Sequence, residues 1–206
     1  MSRTENEKPI IGILALQGDF DAHRKMLEEK VGVRAAAVRT PQQLAQVDGL
    51  ILPGGESTTI GKLMIRNGLD TAIRERAAAG MPIFGTCAGL ILMAQEIEGR
   101  RDQPTLDLMH VTVARNAFGR QVDSFEADIP LELEQEGSRE VRGVFIRAPY
   151  VTEVGDEVEV LGKFEGKIVA VREGELLGTA FHPELTDDCR IHTYFARMVV
   201  NSREER

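Results

Sequence analysis

Cysteine is scarce in this 206-residue chain, with Cys87 and Cys189 the only two. Two thiols in a chain of that length cannot staple a small core, so a disulfide scaffold is excluded and a reducing cytoplasm is the expected setting. Long apolar runs are missing as well. The most apolar stretches, residues 10–16 and 89–94, fall far short of the roughly 20 residues that cross a bilayer, so no transmembrane helix is expected. The leader MSRTENEKP is polar and of mixed charge, and the apolar run after it ends in Gln17-Gly18-Asp19 instead of a small-residue cleavage site. No export signal is expected from it. There is also no block of Lys or Arg. With 25 Lys+Arg against 33 Asp+Glu the net charge is −8, and affinity for a phosphate backbone rests on clustered cations that release counterions. Neither nucleic acid nor a membrane is an expected partner. What remains, at 42% hydrophobic and 28% charged residues, is a globular composition of a length suited to one generous domain.

The apolar residues that are present fall into an alternating order. Residues 10–16 form a short apolar run, after which Phe20, Ala22, Met26, Leu27 and Val31 recur near helical spacing. Strand-like 33–38 and 49–53, a periodic segment 58–79, strand-like 82–84 and helix-like 88–97 continue the pattern. Repeated strand and helix segments predict an α/β fold of three layers, a central mostly parallel sheet with helices on both faces. From about Leu106 the runs become shorter and β-like, at 111–114, 141–146, 158–164, 168–171 and 176–181. They predict a mixed or antiparallel β extension. Turns are expected at Glu136-Gly137-Ser138, Glu165-Gly166 and Glu173-Gly174-Glu175, and an amphipathic helix at 187–200 closes the chain.

Three segments carry chemistry. Gly85-Thr86-Cys87-Ala88-Gly89 lies between a strand and a helix and has the form of a nucleophile elbow with cysteine in the serine position. A tight turn there exposes the side chain at the carboxyl end of the sheet, where a helix N-terminus favours a thiolate. The same pentapeptide also suits a buried cysteine in a glycine-tightened turn. Phe181-His182-Pro183-Glu184 follows the last β-like run. Pro183 is expected to keep it extended, so that a spacing of two aims His182 and Glu184 similarly, as a base and its orienting carboxylate require. Elbow and His-x-Glu together favour a Cys87-His182-Glu184 triad. Pro53-Gly54-Gly55-Glu56-Ser57 follows a strand and opens a helix, so its unhindered amides could face developing negative charge, or it could be a plain turn with Ser57 as N-cap. It lacks the Gly-Lys-Ser/Thr ending of a nucleotide phosphate loop.

Taken in order, these segments resemble the class I glutamine amidotransferases, whose domain carries a Gly-Gly loop, a G-x-C-x-G elbow and a late His-Pro-Glu. Within that family the chain is most similar to the glutaminase subunits of two-component pyridoxal 5'-phosphate synthases. That likeness rests on Leu16-Gln17-Gly18, the segment Leu52-Pro-Gly-Gly-Glu-Ser-Thr58, Phe84-Gly-Thr-Cys-Ala-Gly-Leu90, Arg115-Asn-Ala-Phe-Gly-Arg-Gln121, Ser124-Phe-Glu126, Gly143-Val-Phe-Ile-Arg-Ala-Pro149 and Phe181-His-Pro-Glu-Leu185. The resemblance implies that Cys87 attacks the side-chain amide of L-glutamine, His182 passes a proton to the departing ammonia, and Glu184 orients His182, with water clearing a glutamyl thioester. It further implies an oxyanion hole from the amides of Gly55 and Ala88. Substrate would be seated by Gly54, Gly55, Glu56, Ser57, Arg115 and the Ile146-Arg147 backbone. A cation and acceptors of this kind suit the α-carboxylate and α-ammonium of free glutamine.

By the same resemblance no cofactor is needed, residues 9–203 form one glutaminase domain behind an extension at 1–8, and the obligate partner is a ring-forming synthase subunit in a hetero-oligomer. Ammonia released into water is lost as ammonium, so a docked partner would have to receive it. Departures from the family pattern are the extension, a basic insertion at 99–105 and Tyr150 where relatives often carry His; none is expected to touch the triad. Another acceptor pathway and a non-catalytic thiol sensor remain alternatives, the latter disfavoured by the His-Pro-Glu pair. Cys189 and His192, three apart on the last helix, lack the further ligands that zinc wants, so no metal is expected. His192 reads as a surface residue, His23 as an exposed helix residue and His110 as a strand-edge residue.

Overall fold

The computed structural model describes residues 8–100, 102–115, 124–133 and 137–204, with residues 137–139 described in backbone only. The leader before Lys8, the segment from Asn116 to Gln121 and the expected turn residue Glu136 lie outside the described residues. Five parallel strands make the centre of the sheet. β1 (Ile10–Leu14) pairs on one side with β2 (Arg34–Val38) and on the other with β3 (Gly49–Leu52). β3 pairs with β4 (Ile83–Thr86), and β4 with β12 (Leu176–Thr179). β3 and β4 are buried along their whole length, as a strand covered on both faces must be.

Alternation along β4 shows both covers. Phe84 meets Phe195 at 5.6 Å and His192 at 5.8 Å between ring centroids, both on α6 (Arg190–Glu204). A side chain at Gly85, one residue on and pointing the opposite way, would strike Gly89 and Met93 of α5 (Ala88–Met93). α5 in turn packs against α3 (Ser57–Arg66), and α3 against α4 (Leu69–Ala78). The structure is therefore the expected α/β arrangement, a sheet with helices on both faces. It also curls: β11 (Lys167–Glu173) pairs antiparallel with β12 and with β10 (Glu159–Phe164), and β10 leads to the hairpin of β7 (Ser124–Leu133) and β8 (Gly137–Ile146).

Several local expectations differ from the structure. The segment 58–79 is two helices, because Asn67 ends α3 and Gly68 turns the chain with φ 67° before α4. The helix expected over 88–97 stops at Met93. Ala94 swings to φ −62°, ψ 147°, and Ala94–Ile97 becomes β5, parallel to β6 (Met109–Ala114). A backbone pairing partner distant in sequence outweighs helix propensity there. β7 was not anticipated, although its burial alternates strictly from Ala127 to Leu133. Nor was β9 (Tyr150–Val154), which is defined by pairing with β6 and β11. A helix at α1 (Phe20–Lys25), capped by Asp19, runs on as a π-helical segment Met26–Val31. A short α2 (Pro41–Leu44) is capped by Thr40.

Candidate active site

The carboxyl ends of β1, β3, β4 and β12 lie side by side, the position where open α/β sheets bind ligands. Sheet register does the assembling. Leu52 pairs with Gly85, and Thr86 with Thr179, so the residues just beyond these strand ends become neighbours despite their distance in sequence.

Cys87 follows β4 at φ 48°, ψ −100°, a region non-glycine residues rarely occupy. Its N–H donates to the Thr179 carbonyl at 2.8 Å, and its own carbonyl accepts from Ile91 at 3.2 Å. This is the strained strand-to-helix turn of an elbow. Gly85 and Gly89 make it possible, since a Cβ on either would collide with backbone, Gly85 against Gly89 and Gly89 against the Leu52 carbonyl. Cys87 stays 8% accessible, and its sulfur lies 3.9 Å from the Ile146 carbonyl.

His182 stands three residues beyond β12, its N–H bonded to the Val144 carbonyl of β8 at 2.8 Å. Phe181 before it packs on Phe145, which stacks on Phe125 at 4.6 Å, so the hairpin backs the histidine with aromatic rings. His182 is extended, but Pro183–Leu185 forms a 3-10 turn, so the fully extended His-Pro-Glu segment expected from Pro183 is not found. The turn nevertheless brings Glu184 Oε1 to 2.8 Å from His182 Nδ1. Burial works against a charged imidazole at His182, but hydrogen bonds with Cys87 and Glu184 overcome it and hold its pKa up at about 10. Burial would likewise raise Glu184, yet the neighbouring His23 and the bond from His182 hold it below the ordinary carboxylate range.

The third wall is the loop after β3. Gly54 lies flat against the His182 ring, where any Cβ would collide with it. Gly55 is held at φ 155°, and the Glu56 N–H beyond it donates to Gln17 Oε1 at 2.8 Å. The N-cap of α3 is Glu56, accepting from the Thr58 and Thr59 amides at 3.1 and 2.7 Å, and not Ser57. The Thr59 hydroxyl first, then these amides, pull Glu56 down to a pKa of about 2. Ser57 is buried and accepts from Gln103 Nε2 at 2.9 Å. Gln103 Oε1 accepts from Arg115 at 2.6 Å, and Arg115 reaches Glu56 at 3.6 Å. The insertion at 99–105 thus braces, through Gln103, two of the residues expected to seat substrate.

These groups line one cavity of about 450 Å³, walled by Gly54, Gly55, Glu56, Ser57, Cys87, Ala88, Arg115, Ile146, Arg147 and His182. Every expected site residue is there except Glu184, which sits behind His182. Arg147, like Cys87, has a positive φ, of 43°. Gln17, Asp19, Ile91 and Leu185 also line the cavity and were given no role from sequence. Gln17 was reachable from its place just past the first strand, at the sheet's carboxyl edge. Three histidines correct the reading of the sequence. His23 and His192 are completely buried, not exposed, with His23 Nδ1 2.9 Å from His192 Nε2. His110 is no edge residue, because β6 is paired on both sides, and it binds Glu173.

The SNO glutamine amidotransferase family model matches residues 13–201. The chain is 54% identical over 189 residues to the pyridoxal 5'-phosphate synthase subunit PdxT of Carboxydothermus hydrogenoformans, covering 92% of this chain and 97% of that one. It is 56% identical over 188 residues to the corresponding subunit of Herpetosiphon aurantiacus, covering 90% and 97%. A crystal structure of a glutamine amidotransferase superposes with a TM-score of 0.86 at 48% identity, covering 92% of this chain and 98% of the other. The structure of PurLQS from Thermotoga maritima, with a TM-score of 0.67 at 19% identity over 96% of this chain and 98% of the other, shares the fold alone. With its elbow, its His-Pro-Glu turn and this extent of likeness, the chain belongs to the SNO glutamine amidotransferase family.

Proposed function

We propose that this chain is the glutaminase subunit of a pyridoxal 5'-phosphate synthase, hydrolysing L-glutamine to L-glutamate and passing the ammonia to a ring-forming synthase subunit. The observation that carries the reading is the convergence of Cys87 and His182 on one cavity, with Glu184 bonded behind His182 and the Gly54-Gly55 loop as the other wall. The relatives named as PdxT supply the pathway.

With its pKa near 10, His182 carries the proton of the Cys87–His182 pair. Cys87 Sγ attacks the amide carbon of glutamine, and the negative charge gathering on the amide oxygen is met by the Gly55 and Ala88 N–H groups. Glu184 keeps the His182 Nδ1–H fixed, so the proton at Nε2 faces the reacting centre. That proton goes to the amide nitrogen, the C–N bond breaks, and ammonia leaves with a thioester on Cys87. Water then gives a proton to His182 and its oxygen to the acyl carbon, expelling Cys87 Sγ and releasing glutamate. Glu56, with its pKa held near 2, stays ionised to face the substrate ammonium. Arg115 faces the α-carboxylate, and Ile146 and Arg147 present backbone to the same end. Residues 9–203 act as one glutaminase domain, in a cytoplasmic hetero-oligomer.

The test is ammonia release from glutamine by the chain alone and mixed with a pyridoxal 5'-phosphate synthase subunit, with Cys87→Ala as blank. Release that depends on both Cys87 and the partner is the expected result. Release that ignores the partner removes the pathway assignment, and release that survives Cys87→Ala removes the mechanism.

A further inference from the structure

His23 belongs to no motif, yet it is completely buried on α1 against the back of the proposed triad. Its Nε2 lies 3.4 Å from Glu184 Oε1, the same oxygen that accepts from His182 Nδ1 at 2.8 Å. The Thr86 hydroxyl is 3.3 Å from the same nitrogen. On the other side of the ring, Nδ1 meets His192 Nε2 at 2.9 Å, and the ring centroids are 5.2 Å apart. His192 Nδ1 and Glu184 Oε2 have no hydrogen-bond partner among the described residues.

Proton accounting leaves one economical arrangement. Burial keeps His192 neutral. A neutral imidazole carries a single N–H, and an unbonded N–H is costlier to bury than an unbonded lone pair, because carbonyl and ring acceptors go under-satisfied more readily than donors. The His192 proton therefore sits on Nε2 and points into His23 Nδ1. That makes Nδ1 an acceptor and places the His23 proton on Nε2, between Glu184 Oε1 at 3.4 Å and the Thr86 hydroxyl at 3.3 Å. Each ring sets the tautomer of the next, and the row ends at the carboxylate.

We propose that His23 is a positioning residue for glutamine hydrolysis: its Nε2–H is a second, permanent donor to Glu184, holding that carboxylate in place while His182 gains and loses its proton. The inference rests on the glutaminase reading above. The need is physical. A carboxylate buried behind His182 with one partner would be stabilised only while His182 is charged. When His182 gives its Nε2 proton to departing ammonia, the imidazolium vanishes, and an otherwise unpartnered Glu184 would keep only the Nδ1–H of a neutral ring, too weak a hold to stop a buried carboxylate from turning. His182 would then lose the orientation and the fixed tautomer that the next step needs. A donor that does not change during turnover prevents it.

Two variants and one spectrum test this. His23→Leu fills the space without a donor, whereas His23→Gln carries an amide N–H close to where Nε2 lies. Assayed for glutamine turnover with the synthase subunit, His23→Leu is expected to lower kcat about ten- to a hundred-fold, the usual loss when an outer partner of a working histidine is removed, with KM for glutamine little changed. His23→Gln is expected to recover most of kcat. A merely structural role would move thermal stability without that split or rescue. Wild-type kcat in a folded His23→Leu protein overturns the proposal, as does equal impairment of both variants. Nitrogen-15 NMR of histidine-labelled wild-type protein gives an independent answer that needs no variant to fold. A His23 ring protonated at Nε2 supports the proposal, and one protonated only at Nδ1 overturns it. If wild type and Cys87→Ala release ammonia equally, the glutaminase reading falls by itself, while the spectrum still decides where the His23 proton lies.

Discussion

Taking the protein from pH 7 to pH 5 probes His192 directly. Burial, only partly offset by Glu184, pushes the His192 pKa down to about 3. In the unfolded chain the same group titrates near 6.5. The folded state thus refuses a proton that the unfolded state accepts. The stability linked to neutral His192 is complete above about pH 6.5 and is lost as pH falls toward 3. Each unit below 6.5 removes roughly 1.4 kcal/mol, so about 2 kcal/mol is gone at pH 5. His182 has the opposite sign. Its folded pKa of about 10 gives stability that is fully present below about 6.5 and lost as pH rises through 10, so it offsets the acid loss slightly. His192→Gln isolates the effect, because the amide still donates toward His23 but does not titrate. Urea unfolding of both proteins at pH 7 and pH 5, with m-values compared, should show wild type losing about 2 kcal/mol more than His192→Gln over that interval. Equal losses would refute the account of a neutral buried ring.

Two further outcomes follow from the cavity walls. Gly54→Ala should fold normally, since Gly54 has no positive φ, yet its methyl group must push the His182 ring aside. A displacement approaching 1 Å at a reacting group costs on the order of a hundred-fold, so kcat should collapse while the melting temperature holds; near-wild-type turnover would show that the ring has room. Gln103→Leu should leave Ser57 and the Arg115 guanidinium without the amide that joins them. Losing a bond to a charged group, about 1.5 to 3 kcal/mol, should raise KM for glutamine about ten-fold or more with kcat nearly kept, as steady-state kinetics on the complex would reveal.

How much of this was legible in the sequence depends on whether local pattern or distant pairing decides each feature. The apolar runs that became β1, β3 and β4 are buried on both faces and therefore continuous in sequence, so they read clearly as strands. β5 could not be read that way. Its apolar residues Ala94 and Ile97 stand at helical spacing after α5, and only the parallel partner β6 turns the segment into a strand. The split of 58–79 rests on Asn67-Gly68, a modest signal that the surrounding helical periodicity hides. Cys87 and His182 announce themselves through glycines and proline with strong backbone demands. Gln103, His23 and His192 do not, because nothing in their immediate neighbours distinguishes them from solvated residues.

The sequence by itself determined the elements and the chemistry: strand-helix alternation, an elbow that only Gly85 and Gly89 permit, and a histidine two residues from its carboxylate. These are local properties, set by backbone sterics and side-chain type within a few residues. Only the tertiary structure decided what faces what. The register of β3, β4 and β12 brought Gly54, Cys87 and His182 to one edge, and the packing of α1 and α6 against β4 buried two histidines behind Glu184. Burial and partner choice arise from contacts between residues far apart in the chain. They also set the charge states, because an imidazole is held protonated where it bonds Cys87 and a carboxylate and neutral where desolvation dominates.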